Sequence, residues 1–471
     1  MQFTFIKLLS VFLYRFVIIS LQFSVFILAV LLCTFSYSMA ANVQVPAMAV
    51  DITAAKIGDN GHKLIPPIDL TKPLCYEDCI YHALLHSPYF AKSTIQIELD
   101  RIEERDARWK IFPNIEINGN FIVNKPDSRN SSPSKANFVV GSWDPMHAYF
   151  SIGAYKILTE IAVYRHLKVI AESLFSMADA FLRLEYMDKV AALINEEITL
   201  AEQEKAYTMN CYQNGRASTL DIVSVEHKID RLTLYGQQNN GKRQNVLESL
   251  KRILGVPLDQ SIVVNLKSSR NQIIGSFDPA AATLELAQRN SIDLKIKSLE
   301  KKVQHYYTIA SYAQYIPKIQ LGLRTDYSAY SNSDVLVSSI GLTTPLWDWG
   351  SRWRTISKEK HKLYKVEAET VEKEFDLNGE WRNSEIERQD YVRNLNLAYS
   401  ALKLVNLKKQ QAEIRYKSGT ESYTAYLELL MALYESQIAT LTAELQYDEA
   451  LLKLRHITGD LYKSYVDASS L

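Results

Sequence analysis

The chain has 471 residues, with 53 Lys and Arg against 53 Asp and Glu and a formal net charge of zero. That balance, without a long block of either sign, leaves no basic face for nucleic acid and no charged tail. Of four cysteines, the three beyond residue 40, Cys75, Cys79 and Cys211, are an odd and scattered set that does not make a disulfide framework. The absence of a glycine-rich phosphate loop, His-Glu-x-x-His or Gly-x-Ser-x-Gly leaves no cofactor motif and no catalytic nucleophile to name.

Residues 1–40 read as a signal peptide. Lys7 and Arg15 supply the positive charge, Phe16 to Phe35 is almost wholly apolar, and Ser38-Met39-Ala40 places small residues for cleavage after Ala40. The apolar run is also long enough to span a bilayer, so an uncleaved anchor is the alternative. Cys33 follows Leu31-Leu32 rather than a small residue, which argues against lipidation. Residues 41–73, with Pro46, Pro66, Pro67 and Pro73, read as an N-terminal linker.

A first helix is expected from about Tyr76 to Lys110, restarting at Pro88. Cys75, Cys79, His82 and His86 fall on one face of it, at steps of four, three and four. These are zinc-ligand types, but one straight helix cannot wrap four ligands around a tetrahedral ion, and the face reads as packing. Acidic pairs such as Glu185 with Asp188 and Glu385 with Glu387 read as solvated helix faces.

Strands follow. Ile115, Ile117, Phe121 and Val123 alternate with polar residues, a loop spans Lys125 to Pro133, and a return strand covers about 136–142. Ile319, Leu321, Leu323 and Tyr327 alternate in the same way, with a loop at 331–334 and a return strand over about 335–344. Period two gives one apolar and one polar face, and strands of ~9–11 residues suit a membrane β-barrel. Four strands cannot close one, since the smallest have about eight, so a barrel must be shared between chains. The apolar run Ile262-Val263-Val264 reads as a small strand region.

The longest uninterrupted stretch is the last. From Ser351 to Lys417 there is no proline and one glycine, Gly379; a polar break at Tyr416 to Ser422 follows, then a second helix to Ile457. At ~1.5 Å per residue the first arm is about 100 Å long. Gly419 reads as a left-handed C-cap and Ser422 as the next N-cap. Leu427, Met431, Tyr434, Ile438, Leu441, Leu445 and Leu452 follow heptad steps with Asp448 as the polar interruption, and Leu395, Ala398, Leu402 and Val405 do so on the outgoing arm.

This hairpin is a second copy. At one offset of 204 residues, Tyr212, Gly215 and Ser218 match Tyr416, Gly419 and Ser422, and Leu247, Leu250, Ile253 and Gly255 match Leu451, Leu454, Ile457 and Gly459. Ala83, Ser87, Pro113, Ile115 and Trp143-Asp144 match Ala287, Ser291, Pro317, Ile319 and Trp347-Asp348. The unit is too long for a solenoid repeat. The chain therefore divides into a first repeat at 74–255, a connection at 256–282, a second repeat at 283–459 and a tail at 460–471.

Two halves that each run helix, strand hairpin, long helix, a Tyr-x-x-Gly-x-x-Ser tip and a return helix ending near Gly, with Pro345-Leu346-Trp347-Asp348-Trp349-Gly350 at a strand-to-helix junction, resemble the TolC-like outer-membrane efflux proteins. The resemblance implies a mainly α fold with a β-barrel part: a homotrimer with a twelve-stranded barrel in the outer membrane and a twelve-helix periplasmic tunnel. It implies a passive exit duct for small molecules or proteins, working with a periplasmic adaptor and an inner-membrane pump, with outer-membrane lipid around the barrel, no cofactor and no catalytic step. The tips, Tyr212, Gly215, Arg216, Ser218, Tyr416, Gly419, Glu421 and Ser422, would meet the adaptor.

By the same resemblance Tyr416 and Asp221 match a tyrosine–aspartate latch at the closed entrance. The family's arginine position is Glu421 here, which suggests a swapped pairing with Arg216. Of two acidic entrance positions one is Ala425 and the other Glu428, a candidate carboxylate ring favouring cations. The competing reading is a periplasmic coiled-coil adaptor or structural protein on an uncleaved N-terminal anchor. It lacks a use for two matched hairpins of alternating strands.

Overall fold

The computed structural model describes residues 73–112, 115–120, 135–266, 269–275, 277–328, 333–343 and 347–466. The expected signal peptide, nearly all of the linker, Phe121, Val123 and the 125–133 loop lie outside the described residues. In chain order the elements are α1 (Tyr76–His86), α2 (Pro88–Trp109), β1 (Ile115–Asn120), β2 (Lys135–Trp143), α3 (Pro145–Gln213), α4 (Thr219–Leu254), α5 (Ser269–Ile274), α6 (Leu284–Asn290), α7 (Ile292–Ala313), β3 (Lys318–Ser328), β4 (Ser333–Thr343), α8 (Ser351–Lys417), α9 (Tyr423–Ile457) and α10 (Asp460–Val466). They group into two compact units.

The first unit holds residues 101–156 and 303–362. Its centre is a four-stranded antiparallel sheet in the order β1-β2-β3-β4. The register puts Ile115 opposite Val140, Val140 opposite Leu321, and Leu321 opposite Ile340. At the end of β4, Ile340 and Leu342 are exposed.

Each return strand passes into a long helix through an aspartate. Asp144 Oδ1 accepts from the His147 amide at 3.0 Å. Asp348 accepts from the amides of Gly350 and Arg352, and from Arg352 Nε at 2.8 Å. These bonds take up donors that a helix start leaves open, and they hold the Asp348 carboxyl below its usual range, the Arg352 side chain being the largest cause. Trp143 Nε1 donates to the Ile111 carbonyl at 2.8 Å, while its repeat counterpart Trp347 is exposed.

The second unit holds the described residues of 73–100, 157–302 and 363–466. Both repeats start with a helix broken at serine: the Ser87 amide donates to the Ala83 carbonyl and the Ser291 amide to Ala287, each at 2.9 Å. Ala83 and Ala287 are fully buried. The return helices end on left-handed glycines, Gly255 at φ 74° and Gly459 at φ 72°, which seat against these breaks. A Cβ on Gly255 would lie 2.5 Å from the His86 carbonyl oxygen, and one on Gly459 2.9 Å from Asn290 Cβ. Asn290 Nδ2 closes the second joint by donating to the Thr458 carbonyl at 2.9 Å.

The expected strand at 262–264 shrinks to a single parallel bridge, Leu74 to Val264. The Leu74 amide donates to the Val263 carbonyl and the Asn265 amide to the Leu74 carbonyl. Pairing stops there because Cys75 is already the N-cap of α1, which leaves the run no second partner residue. The tail is helical at least as far as Val466, in α10.

Along the long helices, α3 and α9 are joined repeatedly. Phe175 meets His456 at 4.8 Å, Arg183 pairs with Glu449 at 3.0 Å, and the Tyr186 and Thr442 hydroxyls lie 2.9 Å apart. Helix α4 lies on α3 through Arg243–Asp188 and Asn239 to the Met187 carbonyl. Helix α8 lies on α9 through Tyr399–Glu444 and Lys453–Glu387. The polar interruption of the α9 heptad has a partner: Arg270 of α5 grips Asp448 with two bonds, 2.5 and 2.9 Å. Arg455 of α9 in turn donates to the Ile273 carbonyl, so α5 is clamped onto α9 at both ends.

Candidate functional site: the hairpin tips

Both tips are built by the same backbone device. Gly215 and Gly419 adopt φ 71° and 76°. The Gly215 amide donates to the Tyr212 carbonyl and the Arg216 amide to the Cys211 carbonyl; Gly419 and Thr420 repeat this on Tyr416 and Arg415, all between 2.8 and 3.0 Å. Two such bonds around a left-handed glycine make a Schellman motif, which satisfies the last carbonyls of the outgoing helix.

The return helices are then capped by serine, but differently. Ser218 Oγ accepts from the Leu220 amide at 2.9 Å, and Asp221 Oδ2 reaches back to the Ser218 amide at 2.7 Å, completing a capping box. Ser422 Oγ accepts from the Ala425 amide at 3.2 Å, and alanine at that third helical position cannot reach back.

Of the residues expected to latch the entrance, the structure joins few within one chain. Asp221 is engaged with its own cap, and no bond among the described residues links it to Tyr416. Arg216 is exposed and Glu421 half-buried; Glu421 Oε2 is buried with no hydrogen-bond partner, so the two are not paired within the chain. Glu428 is exposed on the first turns of α9.

What joins the two tips is aromatic. Tyr207 of α3 meets Tyr423 of α9 edge-on at 5.0 Å. Tyr416 lies 5.5 Å from Tyr423 and stacks on Tyr426 at 5.4 Å and 5°. Cys211, a free half-buried thiol, bonds the Tyr207 hydroxyl, and that bond is the largest reason the phenol is held above its usual range. Sequence reasoning missed Tyr207, Tyr423 and Tyr426. Their only signal was the density of tyrosine within two turns of each tip. Such an edge-on or stacked pair contributes about 0.5–1.5 kcal/mol beyond its burial.

Among the described residues no group of three or more His, Cys, Asp and Glu is arranged to hold a metal ion. Cys75 and Cys79 are free thiols. Cys79 is fully buried, and burial, with Asp78 and Cys75 adding, pushes its thiol up to about 12. Burial and then the neighbouring His86 pull His82 below its usual range. No described helix is long and apolar enough to cross a membrane.

Comparison with known proteins follows the same lines. The sequence pattern of the outer membrane efflux protein family matches residues 283–460. No curated protein matches the chain in sequence. Among solved structures, the CusC channel superposes with a TM-score of 0.68 at 14% identity, over 82% of this chain and 92% of that one. The outer membrane protein VceC of Vibrio cholerae gives 0.65 at 14%, over 82% and 96%. The MtrE outer membrane channel of Neisseria gonorrhoeae, in its open state, gives 0.68 at 16%, over 82% and 88%. Likeness at these identities is likeness of fold.

Proposed function

We propose that this chain, whose second repeat belongs to the outer membrane efflux protein family, is the outer-membrane exit duct of a tripartite efflux or type I secretion system in a Gram-negative bacterium. It extends into the periplasm, passes small molecules or proteins outward from an inner-membrane pump through a periplasmic adaptor, and performs no catalytic step itself.

Two observations carry this reading: an unfinished sheet in the first unit and, separately, uncovered helix faces in the second. Among the described residues the sheet ends on β1 and β4, and four strands cannot close on themselves. Three copies supply twelve strands. Helix α8 exposes Leu397, Leu404, Leu407 and Ile414, and α4 exposes Leu220, Val223 and Leu234. Apolar faces of this extent call for cover, and in a homotrimer each copy covers its neighbours. A coiled-coil adaptor would have no use for the four-stranded sheet.

At the closed end, the tip residues Tyr212, Gly215, Arg216, Ser218, Tyr416, Gly419, Glu421 and Ser422 form the adaptor-docking surface. Asp221 and Tyr416 latch the entrance, and Arg216 re-pairs with Glu421 when the tips close. Three copies of Glu428 make a carboxylate ring that attracts cations. The partnerless oxygen of Glu421 supports the swapped pair. Glu421→Arg then lowers closed-state stability, and unchanged conductance in that variant sinks the pairing. Cation block that survives Glu428→Gln sinks the ring.

The deciding experiment is envelope fractionation followed by native mass spectrometry of the detergent-solubilised particle. A trimer in the outer-membrane fraction is expected. A monomer or dimer in the soluble periplasm, or a species held in the inner membrane by residues 16–35, overturns the duct.

A further inference from the structure

A buried carboxylate lies between three of the long helices with no cation of its own. Glu197 of α3 is 2% exposed. It sits one turn before Ala201, which with Leu232 of α4 and Met431 of α9 forms a small apolar core flanked by Ile198, Leu200 and Ile229. The charged and titratable groups that face it come from every packed element: Glu435 of α9, and Lys228, Arg231 and Tyr235 of α4.

The nearby cations are already engaged. Lys228 Nζ pairs with Glu204 Oε2 at 3.1 Å, and Arg231 Nη2 with Glu435 Oε1 at 3.8 Å. Glu196, the preceding residue of α3, is bonded to the Tyr434 hydroxyl. Three carboxylates, Glu197, Glu204 and Glu435, therefore share two cations. Among the described residues no hydrogen bond or ion pair closes on Glu197. A carboxylate in that position either takes a proton or forces its surroundings to admit water.

We propose that Glu197 is a proton-operated joint of the α3–α4–α9 interface. Protonated, it packs as part of the core; ionised, it loosens the three helices around Ala201, Leu232 and Met431. The inference concerns the helix interface alone and stands apart from the duct reading. Burial, then repulsion from Glu435, raises the Glu197 carboxyl from 4.5 to about 7, against the pull of Lys228 and Arg231. An acid whose folded value lies above its unfolded one costs nothing below the unfolded value. Native stability at this site is therefore fully present below 4.5, falls as pH rises toward about 7, and stays low above that.

Hydrogen–deuterium exchange of the full-length protein in detergent tests this, corrected for the intrinsic pH dependence of exchange. Peptides spanning 195–208, 225–238 and 428–438 are expected to open more readily from about pH 5.5 to about pH 8.5, by roughly an order of magnitude. Peptides of α7 stay flat. Glu197→Gln removes the dependence and keeps the low-pH level throughout. If that variant folds poorly, two others still decide: Glu435→Gln moves the transition to lower pH and Arg231→Met moves it to higher pH. A flat wild-type profile in the three peptides, a Glu197→Gln profile that keeps the wild-type slope, or the same midpoint in both neighbour variants overturns the proposal.

Discussion

At the base of the hairpins the two repeats are close copies. Gly255 and Gly459 share a backbone angle, seat against His86 and Asn290, and face helix breaks at Ser87 and Ser291 that make the same hydrogen bond. At the tips only the backbone device is shared. Gly215 and Gly419 have the same angle again, but a Cβ on either would meet nothing within 4 Å, and the residues around them have drifted: Arg216 stands where the second tip has Thr420, and Asp221 where it has Ala425. Where the chain packs against itself, side chain and backbone are both held. Where it meets open space, only the turn is held and the chemistry is free to diverge.

Substitutions at the four glycines are the sharpest way to break this comparison. Gly255→Ala and Gly459→Ala add a left-handed strain to a clash with packed atoms and are expected to destabilise by about 3 kcal/mol or more. Gly215→Ala and Gly419→Ala carry the strain alone, about 1–2 kcal/mol. Thermal midpoints of the purified protein in detergent measure both. Equal losses at base and tip would mean the base contacts contribute nothing.

Next in size is the clamp near the base. Asp448 is buried and Arg270 half-exposed, so Asp448→Ala strands a cation that can partly reach water. A loss of about 2 kcal/mol is expected, discounted from a fully buried pair. Release of α5 reads out directly as new tryptic cleavage after Arg270. Intact resistance there would show that Arg455 alone holds the segment.

The caps give a reciprocal pair. Asp221→Ala removes half of the first tip's capping box and is expected to cost about 1 kcal/mol, seen as fraying of the first turn of α4. Ala425→Asp installs the missing half at the second tip and is expected to gain about 0.5–1 kcal/mol. If Ala425→Asp destabilises instead, the second tip has been kept without a capping box for another reason. Smallest is Tyr207→Leu, which retains apolar bulk but loses the edge-on contact and the Cys211 bond, at about 0.5–1 kcal/mol. Its readout is the separation of spin labels placed on the two tips.

Much of this was legible in the sequence because the signals are local. Proline located the helix break at Ser87-Pro88, but its counterpart at Ser291, without a proline, reads as one unbroken helix from about 283 to 314. Alternation marked β3 almost to the residue, β4 begins at Ser333 inside the expected loop, and Tyr-x-x-Gly-x-x-Ser fixed both tips. What was not legible depends on which surfaces meet. The heptad of α9 gave one seam, but α9 is flanked by α3 and α8 and buries Leu433, Ala443, Ala450, Leu451 and Leu454 as well; one periodicity cannot describe a helix with neighbours on two sides. Asp448 looked like a flaw in that seam because its partner, Arg270, is 178 residues away. Glu197 carried no signal at all, since a glutamate in a long helix reads as solvated until its neighbours are known. Ile262-Val263-Val264 misled in the other direction: β-branched residues favour a strand, but a strand also needs a partner of matching length.

In the proposed trimer, the sheet order also decides how damaged and intact copies of the chain combine. A copy with a proline in the middle of β4 still offers an intact β1 to one neighbour, so it is accepted into a growing ring that can then never close. Made in equal amounts beside the normal chain, it would spare only about one three-membered ring in eight, because each position is filled independently by a head-to-tail contact. In such a trimer, lesions of this edge would therefore be dominant. Lesions of the helix core, which stop a chain from folding before it meets its neighbours, are recessive.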